Sequence, residues 1–188
     1  MEKHKPKLIL ITGGARSGKS SFAESLAQKM SENIAYIATA QMLDEEMRER
    51  IAEHRKKRPK NWKTYEETEQ VDRIIQDIDA KTGVIIIDCM TLLVSNLISD
   101  YNEESPREMF ASKVKDKIEQ IIEASLKCQA TVIIVSNEVG SGLVPANPIG
   151  RFYRDILGRT NQSIARNADL VYLMVAGIPL LIKGNKDE

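Results

Sequence analysis

One stretch constrains the fold more than any other. An unbroken apolar run, Leu8 to Ile11, leads through Thr12 into Gly13-Gly14-Ala15-Arg16-Ser17-Gly18-Lys19-Ser20. That octapeptide is a complete G-x-x-x-x-G-K-[ST] phosphate loop, a motif that needs a strand before it and a helix after it. Both are present: the apolar run reads as a buried strand, and Phe22, Ala23, Leu26, Ala27 and Met30 recur at helical spacing. Gly13, Gly14 and Gly18 lack Cβ atoms, so the chain can curl with its N–H groups inward, and the helix adds its positive end. The product is a cradle for a polyphosphate, with Lys19 reaching the β/γ-phosphates and the Ser20 hydroxyl ligating Mg²⁺.

The other apolar segments extend this unit. Ile34–Ala38, Gly83–Asp88 and Thr131–Val135 are short continuous runs, each followed by polar or glycine-rich residues. Helical spacing links them: Asp44 caps a helix to about Lys57, Val71, Ile74, Ile75 and Ile78 mark another, and Leu92, Leu93, Asn96 and Leu97 a third. Ser105-Pro106-Arg107-Glu108 reads as a capping box opening a helix to Lys127, with Phe110, Val114, Ile118, Ile121 and Ser125 on one stripe. Trp62–Glu66 is an edge strand or loop, an arginine-rich helix spans about 149–168, and residues 170–182 form a hairpin around Ala176-Gly177. Alternating strands and helices with continuously apolar strands predict a P-loop NTPase-type three-layer α/β fold. Its sheet is mostly parallel, with helices on both faces and a C-terminal hairpin. Residues 1–6 are expected to be a flexible tail and 7–188 a single nucleotide-binding catalytic domain.

Charge adds exclusions. The chain carries 27 basic and 27 acidic residues, so no global field draws it to nucleic acid or an anionic membrane. Its charged start and the absence of any apolar run near the ~18 residues of a membrane span point to a cytoplasmic protein. Cys89 and Cys128 read as buried thiols rather than a disulfide pair.

In a sheet of this kind ligands bind beyond the carboxyl ends of the strands. The phosphate loop, Ala38-Thr39-Ala40, Asp88 and the 136–142 loop should therefore share one edge. Asp88, after four apolar residues, is placed to hold Mg²⁺, or alternatively to cap the next helix. Asn137 and Glu138 could position water, metal or substrate. His54 falls at i+7 from Met47 and i+3 from Ile51, on the apolar face of its helix, yet is flanked by Arg55, Lys56, Lys57 and Arg58. Those cations would neutralise a triphosphate and keep the imidazole neutral, the form that acts as nucleophile or base. Packing and catalysis remain two open readings of His54 on these grounds alone.

Several blocks together resemble one family. They are Thr12–Ser20, Tyr36–Thr39 with Asp44–Met47, Arg50-Ile51-x-x-His54-x-x-x-Arg58-Pro59-x-x-Trp62-x-Thr64-x-Glu66, Asn137–Pro145, and Phe152-x-Arg154-Asp155-x-x-Gly158-Arg159-x-Asn161-Gln162. Over about residues 8–183 the chain is similar to the bifunctional adenosylcobinamide kinases/adenosylcobinamide-phosphate guanylyltransferases of cobalamin biosynthesis. The resemblance implies two steps: phosphorylation of the aminopropanol hydroxyl of adenosylcobinamide by a nucleoside triphosphate, then transfer of GMP from GTP to adenosylcobinamide phosphate through a guanylylated histidine. Carried over, the nucleophile is His54, with Lys19 catalytic. The nucleotide contacts are Gly13 to Ser20, Ala38 to Ala40, Arg55 to Arg58, Glu66 and Asp88. The resemblance further implies GTP, ATP and Mg²⁺, with Ser20 and Asp88 on the metal, and a homo-oligomer, a trimer being one form. A simple P-loop small-molecule kinase and a nucleotide-dependent switch protein are the competing readings.

Overall fold

The computed structural model describes residues 6–41, 45, 48–49, 55–56, 58–59, 61–78, 80–102 and 104–185. Seven strands form one sheet: β1 (Leu8–Gly13), β2 (Ile34–Ala38), β3 (Lys63–Glu66), β4 (Val84–Asp88), β5 (Thr131–Val135), β6 (Leu170–Val175) and β7 (Ile178–Lys183), in the order β3-β2-β4-β5-β1-β6-β7. All neighbours are parallel except β6 and β7, the expected hairpin. The helices among the described residues are α1 (Lys19–Met30), α2 (Val71–Asp77), α3 (Met90–Leu97), α4 (Arg107–Lys127) and α5 (Pro148–Asn167).

Continuous apolarity in the central strands has the meaning expected of it. Leu8 and Leu10 of β1 join a core with residues of α2 to α5, while Ile9 and Ile11 point the other way into a core with Ala23 and Ala27 of α1. Both faces are covered, so neither set of side chains meets water. The α4 stripe of Phe110, Val114, Ile118, Ile121 and Ser125 is buried as its spacing predicts. β3 takes the edge beside β2 and is mostly exposed.

Three sequence expectations need correction or delimiting. Ser105 does not cap α4. The N-cap is Pro106, and the Ser105 hydroxyl instead donates to Asn102 Oδ1 at 3.1 Å and accepts from Asn102 N at 3.2 Å, a local turn that outcompetes the capping box. Pro6 is not tail: it is buried, and its carbonyl accepts the Thr131 hydroxyl at 2.7 Å. The helix expected over 44–57 falls largely outside the described residues, although Glu45, Arg48, Glu49, Arg55 and Lys56 are helical.

β1 lies between β5 and β6, and β4 between β2 and β5. β5 separates them and all three run parallel, so the carboxyl ends of β1 and β4 open onto the same edge, and that edge holds the site.

Candidate nucleotide site

Backbone geometry decides the phosphate loop. Gly13 has φ +150°, and a Cβ there would stand 2.5 Å from the Met174 carbonyl oxygen and 2.8 Å from Ser17 Oγ. Gly18 has φ +92° and serves as N-cap of α1. Gly14 is different: its φ lies outside the left-handed region and nothing lies within 4 Å of a Cβ, so of the three loop glycines only Gly13 and Gly18 are held to glycine by backbone conformation. The loop is held from both sides, since Glu138 N donates to the Gly13 carbonyl at 2.9 Å and Gly177 N to the Ser17 carbonyl at 3.0 Å. The second contact comes from the turn of the β6–β7 hairpin.

Lys19 is buried, and its Nζ donates to the Gly14 carbonyl at 2.6 Å. Burial lowers the pKa of this ammonium, against the opposing pull of Cys89 and the Asp88 carboxylate. The hydroxyls of Thr12 and Ser17 are buried without a hydrogen-bond partner among the described residues. Unpaired buried hydroxyls in a glycine cradle at the start of a helix suit an anionic ligand.

Asp88 ends β4 opposite Ala38 of β2 and Val135 of β5. It does not cap the next helix, whose N-cap is Cys89 without a side-chain bond. Its Oδ2 instead accepts the Tyr36 hydroxyl at 2.6 Å. Burial first, then the charge of Asp88, raises the Tyr36 pKa, which keeps that hydroxyl a donor. Thr39 is fully buried: its hydroxyl donates to the Cys89 carbonyl at 2.7 Å and accepts Cys89 N at 2.8 Å, and its own carbonyl accepts Asn96 Nδ2 at 2.9 Å. The Thr39 side chain thus braces the turn after β4, leaving Ala38 and Ala40 as its small neighbours on the edge.

Of the basic block, Arg55, Lys56 and Arg58 are described, while His54 and Lys57 lie outside the described residues. Arg55 pairs with Glu66. Arg58 lies over the Tyr36 ring, 3.7 Å from its centroid, and Trp62 stacks on that ring at 6.3 Å and 27°. The Arg58 Nε and Nη1 are buried without a partner among the described residues. Arg55, Arg58, Pro59, Trp62, Thr64 and Glu66 line a hollow of about 470 Å³. Two guanidiniums, one carboxylate and an aromatic face can hold a nucleotide by its phosphates and its base.

The structure thus brings Gly13 to Ser20, Ala38 to Ala40 and Asp88 to one edge, and connects them through Tyr36 to Arg58, Arg55 and Glu66. Glu138 braces its own loop: its Oε1 accepts the N–H groups of Gly140 and of Ser141, the latter at 3.1 Å. The residues reasoning from sequence missed are Tyr36 and the turn at Ala176-Gly177. Tyr36 looked like one more strand residue; the signal was its hydroxyl, which needs a partner when a tyrosine is buried.

Mg²⁺ fits this donor set. Among the described residues no three His, Cys, Asp or Glu side chains cluster, and Mg²⁺ is commonly held by one or two carboxylates together with substrate phosphates rather than by a protein cage. Asp88 at the end of β4 and Ser20 in the first turn of α1 are the oxygen donors available for such a role.

The phosphate loop on an interior strand of a largely parallel sheet defines a P-loop nucleotide-binding α/β protein. Solved structures agree at the level of fold: the RadB recombinase aligns over 97% of this chain and 84% of its own with a TM-score of 0.55 at 13% identity. Flagellar accessory protein FlaH from Methanocaldococcus jannaschii aligns over 96% and 79% at 0.50 and 15%. The narrower assignment comes from sequence. Residues 9–182 match the model of the cobinamide kinase / cobinamide phosphate guanyltransferase family, and the chain belongs to that family. It is 41% identical over 181 residues to the bifunctional adenosylcobalamin biosynthesis protein CobU of Escherichia coli (strain K12), covering 94% of this chain and 99% of the relative. Identity to the protein of the same name from Salmonella typhimurium is 42%, with the same coverage. To the bifunctional adenosylcobalamin biosynthesis protein CobP of Pseudomonas aeruginosa it is 39%, over 93% and 96%. The chain is therefore an enzyme of a kinase and nucleotidyltransferase family. No helix among the described residues is long and apolar enough to cross a membrane.

Proposed function

We propose that this chain, as a single catalytic domain over 7–188, phosphorylates the aminopropanol hydroxyl of adenosylcobinamide and then transfers GMP from GTP to the resulting phosphate. In the first step the hydroxyl oxygen bonds to the γ-phosphorus and gives up its proton to solvent, the bond to the β–γ bridging oxygen breaks, and a nucleoside diphosphate leaves. Lys19 and the inward N–H groups of Gly13 to Ser20 bear the charge that develops on the phosphate oxygens. Mg²⁺, when bound by Asp88 and Ser20, neutralises phosphate charge. Either ATP or GTP suits this step, because the phosphate loop reads no base.

In the second step an imidazole nitrogen of His54 attacks the α-phosphorus of GTP and pyrophosphate leaves. A phosphate oxygen of adenosylcobinamide phosphate then attacks the same phosphorus and regenerates the imidazole. The observation that carries the reading is a second hollow, lined by Arg55, Arg58 and Glu66 and joined through Tyr36 to Asp88, in addition to the phosphate loop that a simple kinase uses. A nucleotidyl transfer needs that additional site, and His54 immediately precedes Arg55 in the chain. The family resemblance further supports a cytoplasmic homo-oligomer.

Incubation with α-labelled GTP followed by denaturation tests the scheme. The expected adduct is labile in acid, stable in base, and absent from His54→Ala, which retains much of the kinase step, whereas Lys19→Ala loses both activities. A labelled His54→Ala protein, or an unlabelled wild type with intact kinase activity, overturns the transferase step.

A further inference from the structure

Tyr36 touches both halves of the site. Its hydroxyl donates to Asp88 Oδ2 at 2.6 Å, and its ring carries the Arg58 guanidinium 3.7 Å from the centroid and stacks on Trp62. The residue is only 1% exposed, although its polar tip is engaged at the site edge. A buried strand position that only filled space could be phenylalanine, with no hydroxyl to satisfy. Here the hydroxyl occupies one carboxylate oxygen and so fixes the plane of the carboxylate, leaving Oδ1 for other partners. The ring fixes Arg58, whose Nε and Nη1 remain without partners among the described residues in a hollow that also contains Arg55 and Glu66.

We propose that Tyr36 is a positioning residue for both steps: through its hydroxyl it orients Asp88 toward the metal–phosphate end, and through its ring it holds Arg58 toward the nucleotide hollow. The proposal rests on the reading of Asp88 as the carboxylate that holds Mg²⁺, and it extends that reading to a residue that touches neither metal nor substrate. Ring and hydroxyl are chemically separable, which makes the two roles separable. Tyr36→Phe keeps the stack and the cation–π contact and removes only the bond to Asp88. Tyr36→Leu removes all three.

The test is calorimetric titration of a non-hydrolysable GTP analogue into the full chain, first in EDTA and then across a range of Mg²⁺ concentrations, for wild type, Tyr36→Phe, Tyr36→Leu and Asp88→Asn. A group that orients a metal-holding carboxylate typically changes metal affinity by about 10–100-fold when lost. Tyr36→Phe should therefore need about ten-fold more Mg²⁺ to reach half of the metal-dependent gain in affinity, with its affinity in EDTA unchanged. Tyr36→Leu should also bind the analogue more weakly in EDTA.

If Asp88→Asn shifts the Mg²⁺ dependence and Tyr36→Phe does not, the positioning role is overturned while the reading of Asp88 stands. If neither shifts it, Asp88 does not hold the metal and both fall. If Tyr36→Phe weakens binding equally with and without Mg²⁺, the hydroxyl serves the pocket as a whole, and its specific link to the metal end is overturned.

Discussion

Replacing Gly13 by alanine tests the backbone argument most directly, because the cost comes from two measurable features of one residue. Its φ of +150° is a conformation that residues with a Cβ rarely adopt, and holding one there costs about 1–3 kcal/mol. The new Cβ would stand 2.5 Å from the Met174 carbonyl oxygen, against 3.4 Å for ordinary contact, so β6 must retreat by about 0.9 Å. That oxygen belongs to backbone paired with Gly13 in the β1–β6 register, so no rotamer change relieves it. Overpacking of this kind costs about 1–3 kcal/mol. Together the terms give about 2–6 kcal/mol, which for a chain of this size lowers the melting temperature by roughly 5–20 °C. Scanning calorimetry of Gly13→Ala beside Gly14→Ala is the assay. Gly14→Ala should melt close to wild type, since its Cβ meets nothing within 4 Å. A Gly13→Ala protein that melts within a degree of wild type and keeps its nucleotide affinity would refute the reasoning, as would equal damage from Gly14→Ala.

Two further outcomes follow from packing and protonation. Lys117 on α4 donates to Asp72 Oδ1 at 2.9 Å and to Gln70 Oε1 at 3.1 Å, with side chains 14% and 11% exposed for the ion pair. Lys117→Met should cost about 3–5 kcal/mol in urea unfolding by stranding the Asp72 carboxylate, and adding Asp72→Asn should recover part of it. A loss under ~1 kcal/mol would contradict the pairing argument. The Cys89 thiol is pushed from its ordinary 9.0 up to about 12, by burial first and the Asp88 charge second. Because the folded state holds the proton more tightly, this group's contribution to stability is complete below pH ~9 and is lost as the pH climbs toward 12. Both cysteines are free and only half-buried rather than buried as expected, so peptide mapping must separate Cys89 from Cys128. At pH 8 iodoacetamide should alkylate Cys89 far more slowly in the native than in the denatured protein, and equal rates would contradict the raised pKa.

The sequence carried the chemistry of the fold better than its adjacencies. Ile34–Ala38 and Thr131–Val135 were legible as strands because their apolar runs are short and uninterrupted, and both match β2 and β5. The phosphate loop was legible because glycine, lysine and serine fall at fixed offsets. The insertion of β1 between β5 and β6 was not, since strand order leaves no mark on local periodicity. Nor was the contact between Gly177 and Ser17, which joins residues far apart in the chain. Ser105 misled because its hydroxyl has two local hydrogen-bonding options, and here it bonds Asn102 rather than the first turn of α4. Tyr36 was quoted in the family pattern without a role, because its neighbours Asp88 and Arg58 come from separate segments.

The interior placement of β1 has a bearing on biosynthesis. The strand bearing the nucleotide loop leaves the ribosome first, yet one of its sheet partners starts at residue 131 and the other at residue 170, and the turn that seats Ser17 arrives only with residue 177. Nascent fragments that stop short of that hairpin lack the Gly177 N–H that holds the Ser17 carbonyl, so the loop is completed only late in synthesis. Folding of this strand therefore waits on pairings that span most of the chain, the kind that close slowly.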